Sequence, residues 1–324
     1  ARSGALSQAT LIPEIIKDSR GKSTVRVTLR INGVEARGEV PAGASKGEDE
    51  AATVATEQAV KNINDIIIPL LKESGIDIST YEGLRKAEQM VVDAAGENFK
   101  TLGANATVPV SWALWRAAAA LNNMKLWEYI RVNEPDAIGE DSVYFYMNIY
   151  NGGLHAVRGD EKLGVDRIDI QEIMIATVAG ESYGDRLMTG DKTDQSLKGL
   201  LLKKYAAEAI MRADEAGFSV KGLGKSEEAI ALVLEAIRNA GYKPGRDIKL
   251  ALDAAATSFY NAEKKVYEFQ GKELSSAQMV QFYIELVEQY PGVILSIEDG
   301  MAENDWAGWA LFTAAMKERG VLTI

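Results

Sequence analysis

Acidic side chains border several apolar segments in the second half of this sequence. Carboxylates can bind a divalent cation, which prefers oxygen ligands, and can transfer protons to or from a substrate. If the apolar segments are strands of one βα barrel, the strand ends meet at the face where such barrels carry their chemistry. We therefore predict a metal and acid–base site there. The acidic positions are Glu172, the pair Asp214 and Glu215, Asp253, and the pair Glu298 and Asp299.

Each of these positions, taken alone, also fits a purely structural role. An Asp that follows a strand commonly caps the next helix by accepting a backbone N–H. Four such positions in series at one face of a barrel favour the metal and acid–base interpretation. The sequence leaves helix capping open for any single position.

The first part of the chain has the pattern of an antiparallel sheet followed by helices. Residues 24–31 alternate polar and apolar side chains with a period of two, which is typical of a half-buried strand. Asn32 and Gly33 then form a hairpin signal before a return strand over residues 34–40. These elements predict an N-terminal α+β domain over residues 1–138. Its predicted helices cover residues 48–72, 84–94 and 108–122.

A second domain is predicted over residues 139–324, because a polar segment with Pro and Gly at residues 132–142 precedes a change of pattern. Strands now alternate with helices, which indicates a parallel α/β unit and, with this many in series, a βα barrel. The predicted strands cover residues 169–177, 248–254, 293–297 and 321–324. The predicted helices cover the region up to residue 209 and residues 227–240, 275–289 and 306–319.

The number of strands bears on the completeness of this barrel. A closed (β/α)₈ barrel needs more strands than this part of the chain supplies, and the last predicted strand coincides with the end of the sequence. We therefore expect a barrel that is incomplete in this chain. The open side of such a half-barrel would expose an apolar edge, which argues against a free-standing monomer.

Composition excludes several classes of protein. The 324 residues include 36 Lys and Arg against 47 Asp and Glu, a net charge of −11, which argues against binding to nucleic acids or anionic lipids. Cysteine is absent and His155 is the one histidine, which excludes thiolate chemistry and disfavours His-rich zinc sites. No apolar run is long enough for a membrane span, and the N-terminus lacks the apolar stretch of a secretory signal. We expect a cytoplasmic enzyme or binding protein.

Short motifs occur in order along nearly the whole chain. They are KDSRG at 17–21, VPAGASKG at 40–47, GANA at 103–106, MNIYNGGLHA at 147–156, QE at 171–172, DEAGF at 214–218, ALDAA at 251–255 and SIED at 296–299. Any one motif is weak evidence, but the ordered set is specific, and it resembles that of the enolase family. The resemblance implies an N-terminal α+β domain, an enolase-type βα barrel, and the reversible, magnesium-dependent dehydration of 2-phosphoglycerate to phosphoenolpyruvate in glycolysis.

The resemblance implies roles for the acidic residues. Asp253 and Glu298 would bind the tighter of two Mg²⁺ ions in the site. Glu215 would be the acid that assists the departing hydroxyl group, and Glu172 would be its partner carboxylate beside the departing water. The chemistry needs such groups, because removing a proton next to a carboxylate adds negative charge to an anion, and bound cations offset that charge.

Substrate contacts and partners follow from the same resemblance. His155 and Gln171 would contact the substrate, and Ser45, on a Gly-rich loop, would close over it and help to hold the second Mg²⁺. The partner would be a small molecule, with no nucleic acid and no membrane. We also expect a homodimer or a larger even-numbered oligomer.

The sequence departs from the family pattern at several positions, including Lys22–Ser23, Ala42, Lys46 and Ser219, and three departures bear directly on the site. Ala216 stands beside the acid where a Gly is usual. The segment 157–166, between His155 and Gln171, is longer than usual. In the family, the third metal ligand and the proton-abstracting Lys lie beyond the strand that corresponds to residues 321–324, so no residue here is assigned to either role.

Four interpretations remain open at this stage. The chain is a piece of a longer enolase, one half of a split enolase that a second polypeptide completes, or an inactive relative that acts as a binding protein. A related enzyme with a different carboxylate substrate is the fourth. Glu172, Glu215 and the loop around Ser45 together favour enolase chemistry over this last alternative.

Overall fold

The computed structural model describes most of the chain, which divides into two compact units. The described residues are 3–41, 47, 49–135 and 144–324. The two units are Ala1–Asp141 and Ser142–Ile324. Within the described residues, no helix combines the length and apolar character that crossing a membrane requires.

The first unit contains a three-stranded antiparallel sheet in the order β1-β2-β3. The strands are β1 (Thr10–Lys17), β2 (Ser23–Ile31) and β3 (Val34–Val40). Asn32 and Gly33 have φ angles of +44° and +78°, as a tight hairpin turn requires. The predicted hairpin is therefore confirmed.

Strand β1 was not predicted from the sequence. Pro13 interrupts its hydrophobic pattern and cannot donate a ladder hydrogen bond. Because β1 lies at the edge of the sheet, where one side of the backbone is unpaired, proline is tolerated there. The sequence of such a segment therefore carries little strand signal.

Helices follow the sheet and cover it. They are α1 (Thr56–Asn62), α2 (Ile68–Glu73), α3 (Tyr81–Ala95), α4 (Ala104–Leu121) and α5 (Leu126–Asn133), with a π-helical turn at Ile63–Ile67 between the first two. The helix predicted over residues 48–72 is wrong at its start, and residue 48 lies outside the described residues. The backbone N–H and C=O of Val54 bond to the side chain of Asn105, so helical bonding begins only at Thr56.

Helix α4 packs closely on strand β3. A Cβ atom at Gly38 would lie 1.8 Å from the carbonyl oxygen of Pro109, so only glycine permits this approach. The core between sheet and helices includes Leu29 and Leu114, which are both completely buried. Apolar burial of this kind stabilises the α+β unit.

The second unit is built on a seven-stranded sheet in the order β13-β12-β8-β5-β4-β7-β6. These strands are β4 (Tyr146–Asn151), β5 (Glu172–Thr177), β6 (Ile210–Arg212), β7 (Phe218–Val220), β8 (Ile248–Asp253), β12 (Ile294–Glu298) and β13 (Leu322–Thr323). A small separate sheet contains β9 (Tyr260–Asn261), β10 (Val266–Phe269) and β11 (Lys272–Leu274). The helices are α6 (Gly153–Ala156), α7 (Tyr183–Lys204), α8 (Ser226–Asn239), α9 (Ser276–Gln289) and α10 (Trp306–Glu318).

The direction of β5 corrects the prediction of a parallel sheet. Strand β5 runs antiparallel to both of its neighbours, β4 and β8, whereas β12 runs parallel to β8 and to β13. A parallel connection needs a long crossover, usually a helix. Only the four-residue helix α6 and a loop separate β4 from β5, so the chain turns back on itself.

The two edge strands of the large sheet, β13 and β6, are not paired with each other among residues 144–324. The unit is thus a βα barrel that is incomplete in this chain, as predicted. Several boundaries differ from the predicted ones. The strand predicted from residue 169 begins at Glu172, and the helix predicted to run towards residue 209 ends at Lys204.

A buried carboxylate lies outside the predicted site, where the loop before β5 meets the turn between β10 and β11. Asp169 is 1% exposed, and its Oδ2 accepts a hydrogen bond of 2.9 Å from the backbone N–H of Gln270. Burial raises the pKa of Asp169 from its ordinary value near 3.8 to about 6. The folded protein therefore holds this proton more tightly than the unfolded chain does.

We expect Asp169→Asn to change the pH dependence of stability. In the wild type, the contribution of Asp169 to the free energy of unfolding falls as pH rises from about 4 to about 6 and then levels off. The amide keeps an acceptor for Gln270 and has no charge to bury. The variant should therefore lack this decline and gain about 1–3 kcal/mol at pH 8. Urea unfolding at several pH values measures the free energy of unfolding of both proteins. The control is Asp191→Asn, which changes an exposed residue. An unchanged pH profile would contradict the assignment.

Candidate active site

Three neighbouring strands bring three carboxylates into one row. Glu172, the first residue of β5, lies opposite Asp253, the last residue of β8. Glu298, the last residue of β12, lies opposite Asp253 on its other side. Side chains directly opposite each other in a sheet have Cβ atoms about 5 Å apart. The row therefore joins three of the predicted site residues that are distant in sequence.

The antiparallel direction of β5 makes this row possible. The first residue of β5 lies at the end of the sheet where β8 and β12 have their last residues. In an all-parallel sheet, Glu172 would lie at the opposite end of the strands. The row extends by one further position, because Asn151 at the end of β4 lies opposite Glu172. Asn151 is completely buried.

Burial and mutual repulsion disfavour ionisation of Asp253 and Glu298. Burial, followed by the charges of Glu298, Glu172 and Asp299, raises the pKa of Asp253 to about 7. Burial and the charges of Asp299, Glu172 and Glu215 also raise the pKa of Glu298 above its ordinary value. When two neighbouring carboxylates are both ionised, their charges repel each other. A bound cation offsets both charges and so stabilises the ionised forms.

His155 and Gln171 both contact this row. The amide Nε2 of Gln171 donates to Oδ2 of Asp253 over 3.2 Å. The Nδ1 of His155 lies 3.1 Å from Oε1 of Glu172, an ion-pair contact without the alignment of a regular hydrogen bond. Glu172 raises the pKa of His155 and outweighs the opposing effect of burial, with smaller contributions from Asp214 and Glu215. The contact with Glu172 therefore favours the imidazolium form of His155.

Glycines place His155 at this edge. A Cβ atom at Gly152 would lie 2.2 Å from the side chain of Ile168, and Gly153 has a φ of +51°. The N–H groups of these two glycines donate to the carbonyls of Gln171 and Ile168 respectively. The Gly–Gly pair thus ties the short helix α6 to the segment that enters β5.

Glu215 lies in the tight turn between β6 and β7. It occupies a 3₁₀ segment, Asp214–Ala216, and has a left-handed φ of +54°. Its charge raises the pKa values of both His155 and Glu298, so it lies within electrostatic reach of the row. The carbonyl of Asp214 accepts a hydrogen bond from Nδ2 of Asn151. The end of the row is thereby linked to the turn that carries Glu215.

Helix capping does not account for the acidic positions. In the described parts of the chain, four helix N-caps have side chains that accept a backbone N–H: Thr80, Ser182, Ser275 and Asp305. None of these is one of the acidic residues predicted to form the site. The predicted acidic residues instead converge on one end of the sheet, which supports the functional interpretation.

Asp253 and Glu298 have the donor chemistry that a hard divalent cation requires. Both offer carboxylate oxygens from adjacent strands, and the raised pKa of each reflects unfavourable negative charge that a cation would relieve. Over the described residues, no group of three or more His, Cys, Asp or Glu side chains has the geometry to hold a metal ion. Asp253 and Glu298 are a pair, and their chemistry fits two ligand positions of a metal ion.

Some site residues were not found from the sequence, and one predicted residue has no described position. Ser45, predicted to contact substrate and metal, lies outside the described residues. Asn151 was part of a recognised motif but was given no role. Arg212 was missed, and its only signal was a basic residue just before the acidic pair that contains Glu215.

Comparison with known proteins identifies the same two segments. A family model described as "Enolase, N-terminal domain" matches residues 10–130, and one described as "Enolase, C-terminal TIM barrel domain" matches residues 143–322. Curated relatives include Enolase 2 of Lactococcus lactis subsp. lactis, which is 36% identical over 315 residues. That match covers 94% of this chain and 70% of the relative.

A second relative gives the same result. Enolase of Corynebacterium kroppenstedtii is 36% identical over 316 residues, which cover 94% of this chain and 69% of the relative. Two family models in the expected order, long matches to named relatives and a row of carboxylates at the predicted sheet edge agree with one another. By its sequence and its architecture, this chain belongs to the enolase family.

Proposed function

We propose that this protein is a hydro-lyase that interconverts 2-phosphoglycerate and phosphoenolpyruvate with release of water, and that it requires Mg²⁺. The observation that carries the proposal is the row formed by Glu172, Asp253 and Glu298, with Glu215 and His155 in electrostatic reach. Family membership favours this enzyme activity over a binding protein without catalysis.

The reaction removes a proton from C2 of the substrate and a hydroxide from C3, and together they form water. The first step increases the negative charge on an already anionic carboxylate, and the second needs a proton at the departing oxygen. Divalent cations supply positive charge at the substrate carboxylate when they are bound. Asp253 and Glu298 would hold the tighter ion, and Ser45 would contribute to a second ion by resemblance to the family.

Glu215 would protonate the departing hydroxyl group. It lies on a turn at the sheet edge, with an exposed side chain that a substrate can approach. Glu172, whose Oε1 lies 3.1 Å from Nδ1 of His155, would accept a hydrogen bond from the departing water. Gln171, held by its hydrogen bond to Asp253, would orient the substrate beside these carboxylates.

The identity of the metal, the assembly and the location are parts of the same proposal. Carboxylate oxygens as the available donors favour Mg²⁺ over softer metals. A net charge of −11 supports a small-molecule partner rather than nucleic acid or an anionic membrane. We propose a homodimer or a larger even-numbered oligomer in the cytoplasm, which multi-angle light scattering and cell fractionation test.

The first experiment is an intact-mass measurement of the natively expressed protein with any copurifying chain, followed by a direct assay. Phosphorus NMR of 2-phosphoglycerate should show phosphoenolpyruvate forming in the presence of Mg²⁺ and not after chelation. A folded preparation with no conversion, and no magnesium-dependent binding of a phosphonate mimic of the reaction intermediate, would overturn the proposal and favour a binding protein. Conversion of a different carboxylate alone would favour the related-enzyme alternative.

A further inference from the structure

The turn over residues 213–217, here called the acid turn, has an unusual backbone. Glu215 and Ala216 are consecutive residues with left-handed φ angles of +54° and +65°. For residues with a Cβ atom this conformation costs about 1–2 kcal/mol each. Such a turn persists only when its surroundings hold it in place. The contacts that hold it therefore decide where the Glu215 carboxylate points.

Arg212 makes the contacts on one side of this turn. Its Nη1 donates to the carbonyl of Ala216, and the same atom donates to Oδ1 of Asp194 over 2.8 Å. Its Nη2 donates to the other carboxylate oxygen of Asp194, so the ion pair is bidentate. Asp194 lies within the 22-residue helix α7, so one anchor is a rigid element.

A second rigid anchor for Arg212 is an aromatic ring. The guanidinium lies 3.6 Å from the ring centroid of Phe218, the first residue of β7, which is 3% exposed. Stacking of a planar guanidinium on an aromatic face is favourable and orients the plane. Arg212 therefore joins helix α7 and strand β7 to the carbonyl of Ala216, the residue after Glu215.

The other side of the acid turn is held by Asn151, which donates to the carbonyl of Asp214. The two carbonyls that flank Glu215 are thus each bound by a side chain, one from the buried end of β4 and one from Arg212. A lysine at position 212 would retain the charge but could not make the bidentate pair, the stack and the carbonyl bond together.

We propose that Arg212 is a positioning residue that sets the orientation of Glu215 through the Ala216 carbonyl. The inference rests on the proposed role of Glu215 as general acid. Arg212 does not touch the substrate. It reduces the range of carboxylate positions at the site, and misplacement of a catalytic group by about 1 Å can cost up to about 100-fold in rate.

The decisive variant is Arg212→Lys, compared with Arg319→Lys as a matched control. Arg319 also pairs with a carboxylate, Glu288, and donates to a backbone carbonyl, that of Ala315, but it lies after helix α10 and outside the site. In the active enzyme, Arg212→Lys should lower kcat about 10- to 100-fold with KM and Mg²⁺ affinity nearly unchanged. Arg319→Lys should leave kcat unchanged. A merely structural role would lower Tm without changing kcat below the transition.

A second measurement is independent of turnover. His155 is the only histidine in the chain, so the chain gives one set of histidine ring signals in NMR, and its titration in metal-free protein reports the nearby carboxylates. Glu215→Gln calibrates the effect and should lower the pKa of His155. Arg212→Lys should shift that pKa in the same direction, and the double variant should show less than the sum of the two shifts. Loss of the positive charge alone, as in Arg212→Met, would instead raise the pKa of His155.

The two measurements separate the two proposals. If the wild-type enzyme forms no phosphoenolpyruvate, the proposed function fails, while the His155 titration still tests whether Arg212 positions Glu215. If the wild-type enzyme is active and Arg212→Lys changes neither kcat nor the His155 titration, the positioning role is overturned and the proposed function stands.

Discussion

Replacing Glu215 with Gln is expected to lower turnover about 10²–10⁴-fold, the usual contribution of a general acid. The amide has nearly the same shape as the protonated carboxyl group but cannot release a proton to the departing hydroxyl. Because Glu215 lies on the acid turn and not in the row of Asp253 and Glu298, Mg²⁺ binding should remain nearly intact. Steady-state kinetics and calorimetric Mg²⁺ titration measure the two effects separately.

A matched control for this variant is Glu228→Gln, which removes one exposed carboxylate from helix α8, away from the row. It should have wild-type turnover. The pH profile gives a further check, because the wild-type rate should depend on a group that Glu215→Gln lacks. Undiminished turnover in Glu215→Gln would exclude Glu215 as the acid, and loss of Mg²⁺ binding would place it in the metal shell instead.

Asp253→Asn should weaken metal binding and raise the stability of the metal-free protein. Losing a charged ligand should weaken Mg²⁺ binding by at least about 100-fold, because even outer-shell partners of a metal contribute 10- to 100-fold. Turnover should fall accordingly. In the metal-free protein, however, the variant removes a half-buried charge that repels Glu298 and Glu172, so its Tm at pH 8 should rise.

The pH dependence sharpens this prediction. The pKa of Asp253 is raised to about 7, so the folded, metal-free chain binds that proton more tightly than the unfolded chain. Its contribution to stability therefore falls as pH rises from about 4 to about 7, and Asp253→Asn should lack that decline. Mg²⁺ competes with the proton, so wild-type affinity should increase over the same range.

Differential scanning fluorimetry with and without Mg²⁺ measures both effects in one experiment. The control is Asp160→Asn, which removes an exposed charge from the loop between β4 and β5. It should leave both Tm values and the shift caused by Mg²⁺ unchanged. If Asp253→Asn still gains stability from Mg²⁺ at wild-type concentrations, Asp253 is not a ligand and the metal lies elsewhere.

Local sequence signals predicted the elements that depend on neighbours in the chain. The alternation in β2 and the Asn32–Gly33 turn predicted the β2–β3 hairpin, because side-chain period and turn chemistry act over a few residues. Helices α3, α4, α8, α9 and α10 were predicted to within a few residues for the same reason. Where a long-range contact competes, prediction failed: the bonds between Val54 and Asn105 shorten the first helix.

The motifs of the sequence were thus sufficient to assign the family and to predict a set of candidate site residues, because motifs and periodicity are local. The antiparallel direction of β5, and with it the row of Glu172, Asp253 and Glu298, became evident only in the folded chain. A hydrophobic pattern indicates which face of a strand is buried, but neither the direction of the strand nor its neighbours. Arg212 became a candidate for the same reason, since Asp194, Phe218 and Ala216 meet it only in the folded chain.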